Sequence, residues 1–274
     1  MPLSHAFVTA PSSTPDRWFV FLHGILGSGA NWRTFAKQIV GARPSWGVVL
    51  VDLRLHGESQ TGFSPPHTVA ATANDVAELV ASIGHRGPVR AVLGHSFGGK
   101  VAIEYARGHG ASLDHLYVID STPSARPDYR GSSGTMHIVD LLRNLPEEFG
   151  DRNAFTTWME ERGVARPIAM WLAMNVRPVP NTTRFEFRID VPGIRAMLED
   201  YFIRDSWDVL ENPPGLMRTH LIVGGASDIV DQSDIAHAAR CPRTTIDVLP
   251  NVGHWVHAEA PDALRDLVLG YLDG

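Results

Sequence analysis

The sequence predicts an α/β protein, a mostly parallel central sheet flanked by helices, with a mainly helical segment inserted in it. Three observations carry this. From residue 17 to residue 119, continuous apolar runs of strand length alternate with helix-like stretches, the pattern of a sheet with helices on both faces. The alternation breaks between about Ser124 and Pro214. It resumes from Arg218 to the closing residues. The expected domains are a core over 1–123 and 215–274 and a cap over 124–214.

Residues 4–9 read as an edge strand and residues 11–16 as a turn. Residues 17–22 are an unbroken apolar run of the kind found in buried parallel strands. It ends in His23-Gly24-Ile25-Leu26-Gly27-Ser28-Gly29. That glycine-rich loop matches neither G-x-x-x-x-G-K-[ST] nor G-x-G-x-x-G, so it is not read as a phosphate cradle. Residues 31–40 carry Trp32, Phe35, Ile39 and Val40 at helical spacing. Residues 47–53 form the next strand. Asp52 and His56 beyond it are expected to hold the following loop rather than to do chemistry. Val69–Ile83 is an amphipathic helix. A strand at 89–93, a helix at 100–107 and a strand at 113–119 follow, the last ending at Asp120.

Within the insert, helices are expected over 154–162, 168–175 and 192–204, and a short strand over 185–189. Its large apolar side chains, such as Phe155, Met159, Trp171, Met197 and Trp207, are expected mostly to form a small core of its own. Some should face the site and receive an apolar chain. Strands at 218–223 and Thr244–Leu249, a helix at 234–240 and a closing helix at Pro261–Leu272 complete the alternation.

Bulk properties narrow the function. The 274 residues carry a formal net charge of −6, which argues against a nucleic-acid partner. Arginine outnumbers lysine 22 to 2, a bias from which no function is drawn. Cys241, the one cysteine, cannot form an internal disulfide. Residues 1–17 lack a basic start followed by an apolar core, and no apolar run reaches membrane-spanning length, so a cytoplasmic location is expected.

The chemistry-bearing stretch is Gly94-His95-Ser96-Phe97-Gly98-Gly99, set between a strand and a helix. A serine hydroxyl is a poor nucleophile at neutral pH. It must be lifted out of the fold and placed beside a base, and a sharp strand-to-helix turn does this. His254 is the candidate base, because it lies in a Gly-His loop after the final strand and follows the serine and both candidate acids. Asp228 is the preferred acid to orient it and Asp120 the runner-up, since either loop could bring a carboxylate to its Nδ1. The oxyanion donors expected are the N–H groups of Ile25 and Phe97. His95 is expected to point away from the base, and His257 to begin the closing helix. No H-E-x-x-H and no cysteine pair is present, so neither a metal nor another cofactor is expected.

These motifs make the sequence resemble the α/β-hydrolase superfamily along nearly its whole length. The resemblance rests on residues 22–28, 52–59, 94–100 and 251–258. Within the superfamily the chain is most similar to small esterases of acyl esters and thioesters, found in bacteria with mitochondrial relatives. Lys100 after the double glycine and the run Gly253-His254-Trp255-Val256-His257 are the more particular marks. The resemblance implies Ser96 as nucleophile, His254 as base, Ile25 and Phe97 as oxyanion donors, and a helical cap after the sixth family strand. It leaves the acid open, because aspartate stands at both positions. His23, Gly24, Leu26, His95 and Trp255 are expected to line the substrate pocket. The expected activity is cofactor-free hydrolysis of a small-molecule acyl ester or thioester, in a monomer or a dimer. A carbon–carbon bond hydrolase, a lactonase or a perhydrolase on the same triad are alternatives. A non-catalytic ligand receptor on the same fold is the alternative of another class.

Overall fold

The computed structural model describes residues 3–272. The first half runs β1 (His5–Val8), β2 (Arg17–Leu22), α1 (Arg33–Ala42), β3 (Trp46–Val51), α2 (Val69–Ile83), β4 (Val89–His95), α3 (Phe97–His109) and β5 (His115–Ile119). The insert holds α4 (Ser133–Leu142), α5 (Arg152–Glu160), α6 (Arg166–Leu172), the ribbon β6 (Val176–Pro178) and β7 (Phe185–Phe187), α7 (Val191–Ile203) and α8 (Trp207–Glu211). The chain then returns through β8 (Arg218–Gly224), α9 (Gln232–Ala238), β9 (Thr244–Leu249), α10 (Val256–Glu259) and α11 (Pro261–Leu272).

Seven strands form one sheet in the order β1-β3-β2-β4-β5-β8-β9, parallel except for β1, which lies antiparallel on β3. Side chains alternate between faces along each strand. Phe19 and Phe21 of β2 pack with Phe35, Ile39, Leu264 and Val268 on one side. Val20 and Leu22 pack on the other with Val76, Leu79 and Val101.

The insert's core is continuous with that of the sheet domain. Phe155, Met159, Met197 and Trp207 belong to the same buried cluster as Val20, Leu22 and Val101. A segment of short helices has too little surface of its own to bury its large side chains. Phe155 packs against Phe149 and Phe187 within the insert, while α7 and α8 pack on α2 and α3 of the sheet domain.

Lys100 shows how tightly the two are joined. It sits one turn into α3, fully buried, and its Nζ donates to the carbonyls of Ser124, Tyr201 and Arg204, each at 2.9 Å. All three ammonium protons are thereby used on the two ends of the insert. Lys100→Met is expected to leave three buried carbonyls unpaired and to cost about 3 kcal/mol of stability, read from the urea midpoint. A loss below about 0.5 kcal/mol would show that the insert is held by packing alone.

Strand register sets up the site. His95 pairs with Ile119, and Ile119 with Ile222, so β4 and β5 end at one level while β8 runs two residues further, to Gly224. Ser96 and Asp120 are the next residues of adjacent strands. The Ser96 N–H donates to Ile119 O (3.0 Å), and the Asp120 N–H to Ile222 O (2.8 Å).

Candidate active site

Ser96 has φ 53° and ψ −121°, a conformation a side-chain-bearing residue adopts only where its surroundings enforce it. The enforcement is steric. A Cβ on Gly94 would collide with Gly98 O, and one on Gly98 would collide with His23 O. Only glycines allow α3 to start this close to β4 and to the loop after β2.

His254 stands between Ser96 and Asp120. Its Nδ1–H donates to Asp120 Oδ2 at 2.6 Å, and its Nε2 lies 3.0 Å from Ser96 Oγ, placed to accept the hydroxyl proton. Asp120 is fully buried. It accepts the Gly224 N–H on Oδ1 (3.0 Å) and the Ser227 hydroxyl on Oδ2 (2.6 Å). Asp228 is exposed and borders the same cavity, but the carboxylate against His254 is that of Asp120. The preference for Asp228 is thus corrected by the geometry. The loop after β8 carries its polar groups to the site as donors, through Gly224 and Ser227, and these hold the carboxylate that ends β5. Nothing in the sequence singled out Ser227.

His95 is also placed differently from the expectation. Its ring lies 4.7 Å from that of His254, and its Nε2–H donates to the His254 backbone carbonyl at 2.8 Å. Burial and the neighbouring His254 hold it well below the ordinary histidine range, so it stays neutral. It anchors the loop that carries His254. His257 stacks on Trp32 at 4.4 Å and lies in the short helix α10, which precedes the closing helix α11 rather than beginning it.

The loop after β2 is held by reciprocal histidine contacts. His23 Nδ1–H donates to Gly24 O (2.7 Å), and its Nε2 accepts the Leu53 N–H (3.0 Å). His56 Nδ1–H donates to Arg54 O (2.8 Å), and its Nε2 accepts the Leu26 N–H (2.9 Å). Each ring reaches from its own loop into the other. Leu26, at φ 62°, is also held from the insert, where buried Asn175 donates to its carbonyl at 3.1 Å. Asp52 closes the same assembly by accepting the Gly29 and Glu58 N–H groups at 2.8 and 3.0 Å. Asp52 and His56 therefore hold loops, as expected. Ile25 N–H has no partner among the described residues, and Phe97 is the first residue of α3, where an N–H has no intrahelical partner.

Both lacing rings must be neutral to accept at Nε2, and burial keeps them so, lowering His23 to about 4 and His56 to about 3. The unfolded chain protonates both near pH 6.5, so it binds more protons than the folded chain below that pH. Stability is then complete above about pH 6.5 and falls on acidification by about 1.4 kcal/mol per pH unit for each ring. Urea midpoints are expected to drop steadily from pH 7 to pH 5. Midpoints that stay level over that interval would contradict the neutral, accepting state of the two rings.

A cavity of about 360 Å³ opens over Ser96. His23, Gly24, Leu26, His95 and Trp255 all border it. The insert supplies its roof through Thr135 and Ile138 of α4 and Ile168 and Trp171 of α6. Of these, the sequence reading named only Trp171, as one of many apolar candidates. Among the described residues no three His, Cys, Asp or Glu side chains stand together as a metal site, and no helix is long and apolar enough to cross a membrane.

Residues 19–267 match the family described as the alpha/beta hydrolase family. The chain belongs to that family. It is 28% identical to the sn-1-specific diacylglycerol lipase ABHD11 of Mus musculus over 99% of this chain and 85% of the relative. It is 28% identical to the Danio rerio protein of the same name, over 91% of this chain and 75% of the relative. Among solved structures, one described as a marine microorganism esterase superposes with a TM-score of 0.83 at 21% identity, covering 98% of this chain and 99% of that one. At that identity the superposition speaks for the fold.

Proposed function

We propose that this α/β hydrolase cleaves carboxylic esters or thioesters of small to medium apolar acyl groups through an acyl-enzyme on Ser96. The observation that carries the reading is the relay from Asp120 through His254 to Ser96 Oγ, at 2.6 and 3.0 Å. Ser96 Oγ attacks the acyl carbonyl as His254 Nε2 takes its proton. The imidazolium formed is stabilised by buried Asp120. The N–H groups of Ile25 and Phe97 receive the carbonyl oxygen as it becomes an oxyanion, a contribution of about 3 kcal/mol for each donor. His254 returns its proton to the departing alcohol or thiol. A water deprotonated by His254 then attacks the acyl-enzyme and frees the acid and Ser96.

Ile138, Ile168 and Trp171 give the acyl chain an apolar wall. In this reading residues 124–214 act as the cap over the site, and the partner is a small molecule. The names of the two relatives, both diacylglycerol lipases, support ester chemistry.

The test is the initial rate on p-nitrophenyl esters from acetate to palmitate, with fluorophosphonate labelling of Ser96 alongside. Turnover that peaks at short or medium chains, with labelling at Ser96, is the expected result. Absence of both turnover and labelling would overturn the reading.

A further inference from the structure

A second cavity, of about 560 Å³, adjoins the one at Ser96. Leu26, Gly27, Asn31 and Trp171 line both, so the Trp171 side chain and the loop after β2 form the wall between them. Trp171 is held in that position edge-on against Trp255, with ring centroids 4.7 Å apart. The far compartment has a different chemical character. Arg33, Arg152 and Arg177 line it, against two carboxylates, Asp52 and Glu58.

Three guanidinium groups face two carboxylates, so the lining keeps an excess of one positive charge. Asp52 is occupied by two backbone N–H groups. Glu58 has a side chain 76% exposed and approaches Arg177 only at 3.7 Å. Arg152 uses Nε on the Val176 carbonyl at 3.0 Å, and neither it nor Arg33 makes an ion pair among the described residues. An apolar acyl chain has no use for such a wall. A planar guanidinium fork matches a carboxylate or phosphate oxygen pair.

We propose that this compartment binds an anionic group, carboxylate or phosphate, carried by the substrate at a distance from the scissile carbonyl. The substrate class is then an amphiphilic ester or thioester. Its reacting carbonyl lies at Ser96, its apolar part runs under Ile138 and Ile168, and its charged end passes Trp171 to the three arginines. The inference rests on the proposed hydrolase reading and deepens it.

The experiment compares kcat/KM for p-nitrophenyl butyrate with two charged counterparts. One is the p-nitrophenyl monoester of glutarate, with the charge on the acyl arm. The other is a butyrate thioester of a thiol bearing a terminal phosphate, with the charge on the leaving arm. Wild type and the Arg33→Gln/Arg152→Gln/Arg177→Gln variant are assayed at low salt and at high salt. Arg33 and Arg152 are exposed, Arg177 is half-buried, and glutamine keeps an N–H donor at each position, so the variant is expected to fold, with its thermal midpoint as the check.

The expected result is a charged-to-neutral ratio about tenfold lower in the variant, for one arm or both, and a similar fall for wild type at high salt. The arm that responds identifies which end of the substrate carries the anion. A ratio unmoved by the variant while the neutral ester is turned over overturns the anion site and leaves the hydrolase reading intact. Tryptophan fluorescence titrated with inorganic phosphate and with glutarate reads the site without turnover. Arginine-dependent binding in a protein that cleaves no ester would overturn the hydrolase reading and keep the site. No binding and no cleavage would overturn both.

Discussion

Replacing Asp120 by asparagine is expected to lower kcat by about 10⁴-fold, while Asp228→Asn changes it by less than about threefold. The argument is one of hydrogen-bond direction. Asp120 Oδ1 receives the Gly224 backbone N–H, a group that can only donate. An asparagine must therefore turn its carbonyl oxygen to Gly224 and its NH₂ to His254. The NH₂ donates to Nδ1, which forces the ring proton onto Nε2. That tautomer cannot accept the Ser96 proton. The hydroxyl of Ser227 offers no resistance, because it can rotate to accept from the new NH₂. The variant keeps the shape of the buried site, so its thermal midpoint should move little compared with its rate. Asp228 is exposed, and its substitution touches none of these bonds. A larger loss from Asp228→Asn than from Asp120→Asn would return the orienting role to the loop after β8.

The same pair of aspartates shows where the sequence is informative and where it stops. Ser96 and His254 are legible because each sits in a local pattern whose backbone geometry is itself demanding. The glycines at 94 and 98 are there because α3 and the loop after β2 leave no room for a Cβ. The acid has no such local signature. Its identity depends on which carboxylate is buried beneath His254, and that is decided by the level at which β5 and β8 end in the sheet. Helices followed the same rule. Val69–Ile83 and Pro261–Leu272 have clear periodicity and were readable to the residue. Helix α4 was not anticipated, since it opens on Ser133, Gly134 and Thr135, residues of low helix propensity. It is held by burying Met136, Val139 and Leu142 against the rest of the fold, a tertiary gain with little local trace. Asn175 is the extreme case. A lone polar residue in the insert reaches the carbonyl of Leu26, 149 residues earlier in the chain, and no spacing announces that contact.

Ser96→Ala, His254→Ala and the double variant are each expected to lower kcat by about 10⁶-fold, with the double no worse than either single change. The three losses coincide because one event is being removed three ways. Without the hydroxyl there is no nucleophile for His254 to deprotonate. Without the imidazole, the hydroxyl at 3.0 Å has no acceptor for its proton. Once either is gone, the other has no remaining function in the reaction. Independent contributions would instead multiply, and the double variant would fall far below detection relative to the singles. On the proposed mechanism the residual rate in all three belongs to the N–H groups of Ile25 and Phe97 and to substrate binding, which none of the substitutions removes. KM should therefore stay within a few-fold of wild type, and the loss should appear in kcat. The thermal midpoints provide the control, since His254 is partly exposed and Ser96 lies at the cavity floor. Single-turnover assays with p-nitrophenyl butyrate would read the comparison. A double variant a further thousandfold slower than each single would mean that serine and histidine act in separate steps, and the relay drawn through Ser96, His254 and Asp120 would have to be abandoned.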